Sequence, residues 1–286
     1  MLKRGILNVW FNDYLTCYDH IIGMRHGFSL VELSIVLVIL GLLTGGILTG
    51  QSLIRAAELR SVTTQLQQVQ TAMYTFRDKY FALPGDMPNA TRFWPAAGGT
   101  GTGSACFTAD ASGGKSCDGN SDGQIRYAAG ANTSSDVWRW GERFHIWVHL
   151  ANAGLMEGSY TGKTAGTGSF DKLAGGNLPA GKISNMVLDV HFTGGMTGST
   201  EQFINTDKVT ILSTMVTSSN DGPFTPEEVW NIDTKLDDGL PGQGKVSTTK
   251  QTSPSSPNCS TSDSEATAKY NLNSSISNCR AYIKVF

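Results

Sequence analysis

The chain has 286 residues, enough for one good-sized globular domain and an additional element. Its charged fraction is 16% and its formal net charge is -2, so no basic face for displacing counterions is indicated, and nucleic-acid binding is not expected. Gly, Ser, Thr and Asn accumulate beyond residue 95, a polar but weakly charged composition common in extracytoplasmic bacterial proteins.

From Phe28 to about Gly50 the chain is apolar except for Glu32 and a few Ser and Thr. About 20 apolar residues span ~30 Å of hydrocarbon as a helix, so this segment is long enough to cross a membrane. A secretory signal carries its cleavage site after the apolar run. Here Arg25, His26 and Gly27 come before it, and a cut at Gly27 leaves the apolar helix on the mature chain. Glu32 is the anomaly. A carboxylate inside a membrane helix costs about 2.5–3.5 kcal/mol even on the lenient insertion scale and marks function by default. The plainer reading has Glu32 reaching the interface from the helix end, one turn past Phe28. The chain allows two starts, Met1 with a long leader or Met24 with a very short one. Both place basic residues just before the span, the cytoplasmic side by the positive-inside rule.

Gly27-Phe28-Ser29-Leu30-Val31-Glu32-Leu33 resembles the cleavage and methylation motif of type IV prepilins and of the pseudopilins of type II secretion. The match covers Gly at the cut, Phe as the new N-terminus, Glu at its fifth position and the apolar run that follows. The resemblance implies that a prepilin peptidase cleaves between Gly27 and Phe28 and methylates the Phe28 amine. It also implies that Glu32 pairs with the N-terminal amine of a neighbouring subunit in a helical filament. The physics agrees, because a buried carboxylate is tolerable beside a buried ammonium and costly alone.

After Gln51 the pattern changes. Leu59, Val62, Leu66, Val69, Met73, Phe76 and Tyr80 recur at spacings of three and four, which predicts an amphipathic helix with one apolar stripe facing a core. Residues 28 to about 80 are expected as one helix of roughly 80 Å. Gly41, Gly45, Gly46 and Gly50 weaken it in water but allow close approach between membrane helices. Leu83-Pro84-Gly85-Asp86-Met87-Pro88 ends it.

Residues 96–124 read as loop. A second helix is expected over about 135–153, with Ser135 as N-cap, a face of Trp140, Phe144, Trp147 and Ala151, and Gly154 as stop. Leu188, Val190 and Phe192 alternate with Asp189 and His191 as a strand. Val209, Ile211 and Met215 mark another. Thr225-Pro226-Glu227-Glu228 is a capping box opening a short helix to about Leu236, and Ala281–Phe286 is a last strand. Removal of the leader takes Cys17 with it and leaves Cys106, Cys117, Cys259 and Cys279, two local pairs that fit disulfides of an oxidising compartment. Free thiols or a zinc site are the alternatives, although zinc-type spacing is missing from both pairs.

Asp118-Gly119-Asn120-Ser121-Asp122-Gly123-Gln124-Ile125 matches the first half of an EF-hand-type calcium loop, with Asp118, Asn120, Asp122 and Gln124 as ligands. Position twelve is Ala129, where a bidentate Glu is expected; Asp136 or Glu142 are stand-ins. A polar Gly/Asp/Asn turn explains the same residues without an ion. Asp237-Asp238-Gly239 is a second acidic turn, read as turn chemistry. His145 and His149 stand four apart on the second helix without the Glu of a zinc protease, and are read as surface or interfacial. Trp94, Trp138, Trp140, Trp147 and Trp230 fit a carbohydrate or nucleobase platform or plain core packing. No nucleophile elbow, P-loop or dinucleotide fingerprint occurs.

The expected architecture is α+β and pilin-like: leader 1–27, filament-core helix 28–50, its amphipathic continuation 51–82, and a globular domain 83–286 on a small antiparallel sheet. The resemblance implies a structural subunit, not an enzyme. It is held in the bacterial inner membrane with a periplasmic domain, then moved by an inner-membrane assembly platform into a filament of itself or related pilins, in the periplasm or on the cell surface. The alternative is a minor tip pilin acting as adhesin or DNA-binding subunit.

Overall fold

The computed structural model describes residues 29–125, 136–163, 172–193, 203, 209–217, 221–249 and 259–286, with 104, 136–140 and 191 described for the backbone alone. The chain divides into two compact units, Met1–Arg55 and Ala56–Phe286.

Helix α1 runs from Leu30 to Tyr80 without a break, as the missing prolines allow. Phe81 then takes a left-handed φ of 54°, just ahead of Pro84, and the helix stops. Arg77 and Lys79 in the last turn complement the negative end of the helix dipole. The part of α1 in the first unit carries no charge between Glu32 and Arg55. Among the described residues, α1 is the helix long and apolar enough to cross a membrane, and its apolar window is exposed. Its hydroxyls bond back onto the helix: Ser34 to the Val31 carbonyl, Thr44 to Leu40 and Thr49 to Gly45. That satisfies them without water, as a hydrocarbon setting requires.

In the second unit α1 buries Leu59, Val62, Leu66, Val69, Met73 and Phe76, together with Thr63 and Ala72. The expected stripe is thus the core face, with Tyr80 at its half-buried edge. The sheet is antiparallel with order β1-β2-β4-β3, where β1 is Met186–Phe192, β2 Thr210–Val216, β3 Val246–Ser247 and β4 Tyr282–Lys284. The C-terminal strand therefore sits inside the sheet, between β2 and the two-residue edge. Gln70 donates to the Lys284 carbonyl at 3.3 Å, and Tyr74 donates to that of Val285.

Short elements fill the loops. A 3-10 turn covers Ala90–Arg92, α2 covers Gly103–Phe107 in the stretch read as loop, and α3 covers Asp136–Asn152. Ser135, the expected N-cap of α3, lies outside the described residues, as do Ala129 and the side chains of Asp136, Trp138, Trp140 and His191. Helix α4, Pro226–Leu236, opens with the full reciprocal capping box of Thr225 and Glu228. Disulfides join Cys106 to Cys117 and Cys259 to Cys279.

Helix α3 departs from its amphipathic expectation. Every residue from Gly141 to Leu150 is buried, including Glu142, Arg143, His145 and His149. Arg143 makes a two-pronged ion pair with Asp189 on β1, so one polar side chain of each element meets the other in the interior. On another side α2 presses close: a Cβ at Gly141 would lie 2.0 Å from the Phe107 ring.

Candidate functional site

Glu32 stands in the first turn of α1, where one of its carboxylate oxygens accepts the Ser29 amide at 2.9 Å. Within the chain it thus caps its own helix and neutralises one of the four orphan donors there. Gly27 and Phe28 lie outside the described residues. All large aliphatic side chains from Leu30 to Ile54 are at least half exposed.

The acidic loop 118–124 is arranged differently from an EF-hand. Asp118 turns both oxygens toward the 3-10 turn, accepting the Thr91 amide at 2.7 Å and the Thr91 hydroxyl at 2.9 Å. Asn120 Oδ1 accepts the Asp122 amide and Asp122 Oδ1 accepts the Gln124 amide, both at 2.9 Å, in successive Asx turns. Of the four residues expected to gather, Asp122 is the one that meets other acids. It joins Asp86 and Glu142, with one carboxylate oxygen from each lying within 4.8 Å of the others.

Two of these three carboxylates are in the interior: Asp86 is 3% exposed and Glu142 1%. Two glycines let the backbones close in. A Cβ at Gly85, whose φ is +91°, would sit 2.5 Å from the Glu142 carbonyl oxygen, and one at Gly119 would sit 2.5 Å from the Asp86 backbone. Asp86 Oδ2 accepts the Gly123 amide at 2.8 Å, and Glu142 Oε1 accepts the Asn120 amide at 3.2 Å. Burial pushes the Asp86 carboxyl above its ordinary range and the Asp122 charge adds to this, while the amides of Ser121, Asp122 and Gly123 oppose it. Sequence reasoning missed Asp86, because Leu83–Pro88 explains itself as a helix stop.

The second acidic turn closes on itself. Asp233 Oδ1 accepts the Gly239 amide and Oδ2 accepts the Tyr270 hydroxyl at 2.7 Å. Asp237 Oδ2 accepts the amides of Lys245 and Val246, and Asp238 Oδ1 accepts that of Leu240.

His145 and His149 are a correction to the surface reading, since both rings are fully buried. His149 Nδ1 accepts the Gly85 amide at 2.9 Å, which leaves Nε2–H to donate to the Cys117 carbonyl at 3.2 Å. His145 Nδ1 bonds the Gly141 carbonyl at 3.0 Å. Burial lowers His145 to about 4 and His149 to about 3, the second helped by its neighbour, so both rings are neutral structural ties. They read as surface or interfacial because the sequence does not show what covers them; the partners of His149 lie on distant segments. Trp147 is core, and Trp94 stacks with Phe76 and His149, which favours packing over a ligand platform for these two.

The chain thus joins a membrane-length N-terminal helix to a disulfide-bonded α+β unit, with the end of that helix in the unit's core. Residues 23–48 match the family described as the prokaryotic N-terminal methylation motif, so the chain carries the signature of type IV pilins and pseudopilins, which are structural rather than enzymatic. The match and the apolar helix together fit a membrane-anchored pilin. No curated protein and no solved structure matches the chain.

Proposed function

We propose that this chain is a pilin or pseudopilin subunit. It is cut between Gly27 and Phe28, methylated at the Phe28 amine and built into a helical filament whose core is the bundled apolar part of α1. The observation that carries this reading is the surface of residues 30–54. Fifteen Leu, Ile and Val side chains there are at least half exposed. Covering each is worth about 1.5–3 kcal/mol, so on the order of 20–40 kcal/mol favours a membrane or neighbouring copies over water. Glu32 sits at the start of that surface, where a neighbouring amine offsets its desolvation.

The self-capping contact of Glu32 with Ser29 suits the waiting subunit. Cleavage creates an ammonium one residue before Ser29, and assembly brings such ammonium groups beside apolar helices of other copies. Glu32 then holds the register between subunits.

Mass spectrometry of the protein from its native host tests this reading. The expected N-terminus is N-methylated Phe28, and Gly27→Ala should leave the leader attached. Glu32→Ala should be cleaved normally yet be depleted from sheared filaments. Recovery of a full-length, unprocessed chain from assembled material would overturn the reading.

A further inference from the structure

We propose that Asp86, Asp122 and Glu142 together bind one calcium ion, which ties the segment leaving α1 to loop 118–124 and to helix α3. Their oxygens already lie within 4.8 Å of one another, and two oxygens on opposite sides of a calcium ion held at 2.3–2.6 Å are about 5 Å apart. All three donors are carboxylates, the hard oxygen chemistry that selects calcium over zinc or copper.

A cluster of acids on a surface would mean little, but this one is mostly interior. Among the described residues, Asp86 Oδ1 is the one buried carboxylate oxygen without a hydrogen-bond partner. An ionised oxygen in that position is costly unless a cation or a proton meets it. The turn around Asp233, Asp237 and Asp238 shows the contrast. It is equally acidic, yet both oxygens of its buried member, Asp233, are accepting. At Asp233, near the end of helix α4, donors meet both carboxylate oxygens; at Asp86 they meet one.

Calcium takes six to eight oxygens. The three carboxylates supply up to six, and the exposed edge at Asp122 admits water for the remainder. The ion lowers the charge of the cluster from three negative to one. The ligands come from three separate segments, so calcium favours the folded form over any state in which loop 118–124 has lifted away. The set differs from an EF-hand, which takes its ligands from one loop.

The test uses the full chain in detergent, stripped with a chelator and titrated with calcium chloride. Calorimetry should show one ion per chain. Calcium at about 100-fold its dissociation constant should raise Tm by about 5–10 °C. Asp122→Asn removes an exposed ligand without disturbing the interior, and should weaken calcium binding at least tenfold while the protein stays folded by circular dichroism. Asp237→Asn, in the other turn, should bind calcium as the parent does. The proposal is overturned if the parent shows neither heat nor a Tm shift up to about 10 mM calcium, beyond the weakest extracellular sites. A shared proton between Asp86 and Glu142 would give that result. It is overturned equally if Asp122→Asn binds calcium like the parent, or if magnesium binds as tightly.

Discussion

The two halves of α1 share one backbone geometry and differ in everything their side chains meet. The Leu, Ile and Val side chains of residues 30–54 lie on every side of the helix and are at least half exposed among the described residues. Residues 59–76 carry one apolar stripe, and that stripe is core. A helix develops a polar back only where it has a sheet to lie against and water behind it. Charge follows the same division. In the globular unit Asp189 meets Arg143 and Asp233 meets Tyr270. In the apolar half Glu32 reaches no farther than an amide of its own first turn. One half meets its partners within the globular unit, and the other, whose apolar side chains stay exposed among the described residues, is the half for which an interface is proposed.

The strongest challenge to that difference is Asp189→Ala. Asp189 is fully buried, pairs with Arg143 and partly offsets the burial that, on balance, lowers the Lys172 pKa to about 8. Its removal leaves buried cations without their anion, and unfolding stability should fall by about 3–5 kcal/mol. Chemical denaturation measures this. A loss under about 1 kcal/mol would mean that water reaches the pair and that the interior is not closed.

Leu66→Ala comes next. Leu66 is 0% exposed on the stripe, and its truncation should cost about 2–5 kcal/mol, from lost burial and the cavity left behind.

Acid offers a graded version of the same question. His145 and His149 have folded values of about 4 and about 3 against an ordinary 6.5. As pH falls below 6.5 the unfolded chain takes up two protons that the folded chain refuses, so stability declines toward pH 4. Asp233 works in the opposite direction. Burial raises it to about 7 from 3.8, with the charges of Asp237 and Asp238 adding to this and the hydrogen bonds from Tyr270 and Gly239 opposing it. The folded chain then holds a proton that the unfolded chain has lost, and stability rises as pH falls from about 7 to 4. The two histidines outnumber the one aspartate. Asp233→Asn should therefore steepen the acid loss by up to about one proton, or ~1.4 kcal/mol per pH unit. Thermal melts across pH 4–7 decide it, and parallel profiles for parent and variant would remove Asp233 from the account.

Much of the first unit and of α1 was legible because hydrophobic period is a local signal. The spacing from Leu59 to Phe76 needs no knowledge of the sheet it meets. The capping box at Thr225 and both cysteine pairs were legible for the same reason. Helix α3 was not. His145 and His149 read as surface or interfacial, and nothing local shows that Arg143 meets Asp189, that Glu142 meets Asn120 or that His149 ties Gly85 to Cys117. The acidic loop was legible as a loop and not as a site. Asp86 sits behind a proline turn far up the chain, while Asp118, the first residue of the motif, caps the turn at Thr91 instead. The two residues of β3 are too few to show any period.

The smallest expected effect is the most discriminating. Leu37 is 61% exposed in the apolar half of α1, and no described residue buries it. Leu37→Ala removes the same atoms as Leu66→Ala, from the same helix, with the same change in helix propensity. Unfolding of the globular unit in detergent, followed through the buried Trp147, should shift by less than about 0.5 kcal/mol, as for a surface substitution. Identical chemistry then gives a loss of several kcal/mol at one position and almost none at the other, because only one of the two leucines is buried among the described residues. Comparable losses at both positions would mean that the apolar half supports the globular core, and the division between the two halves of α1 would fall.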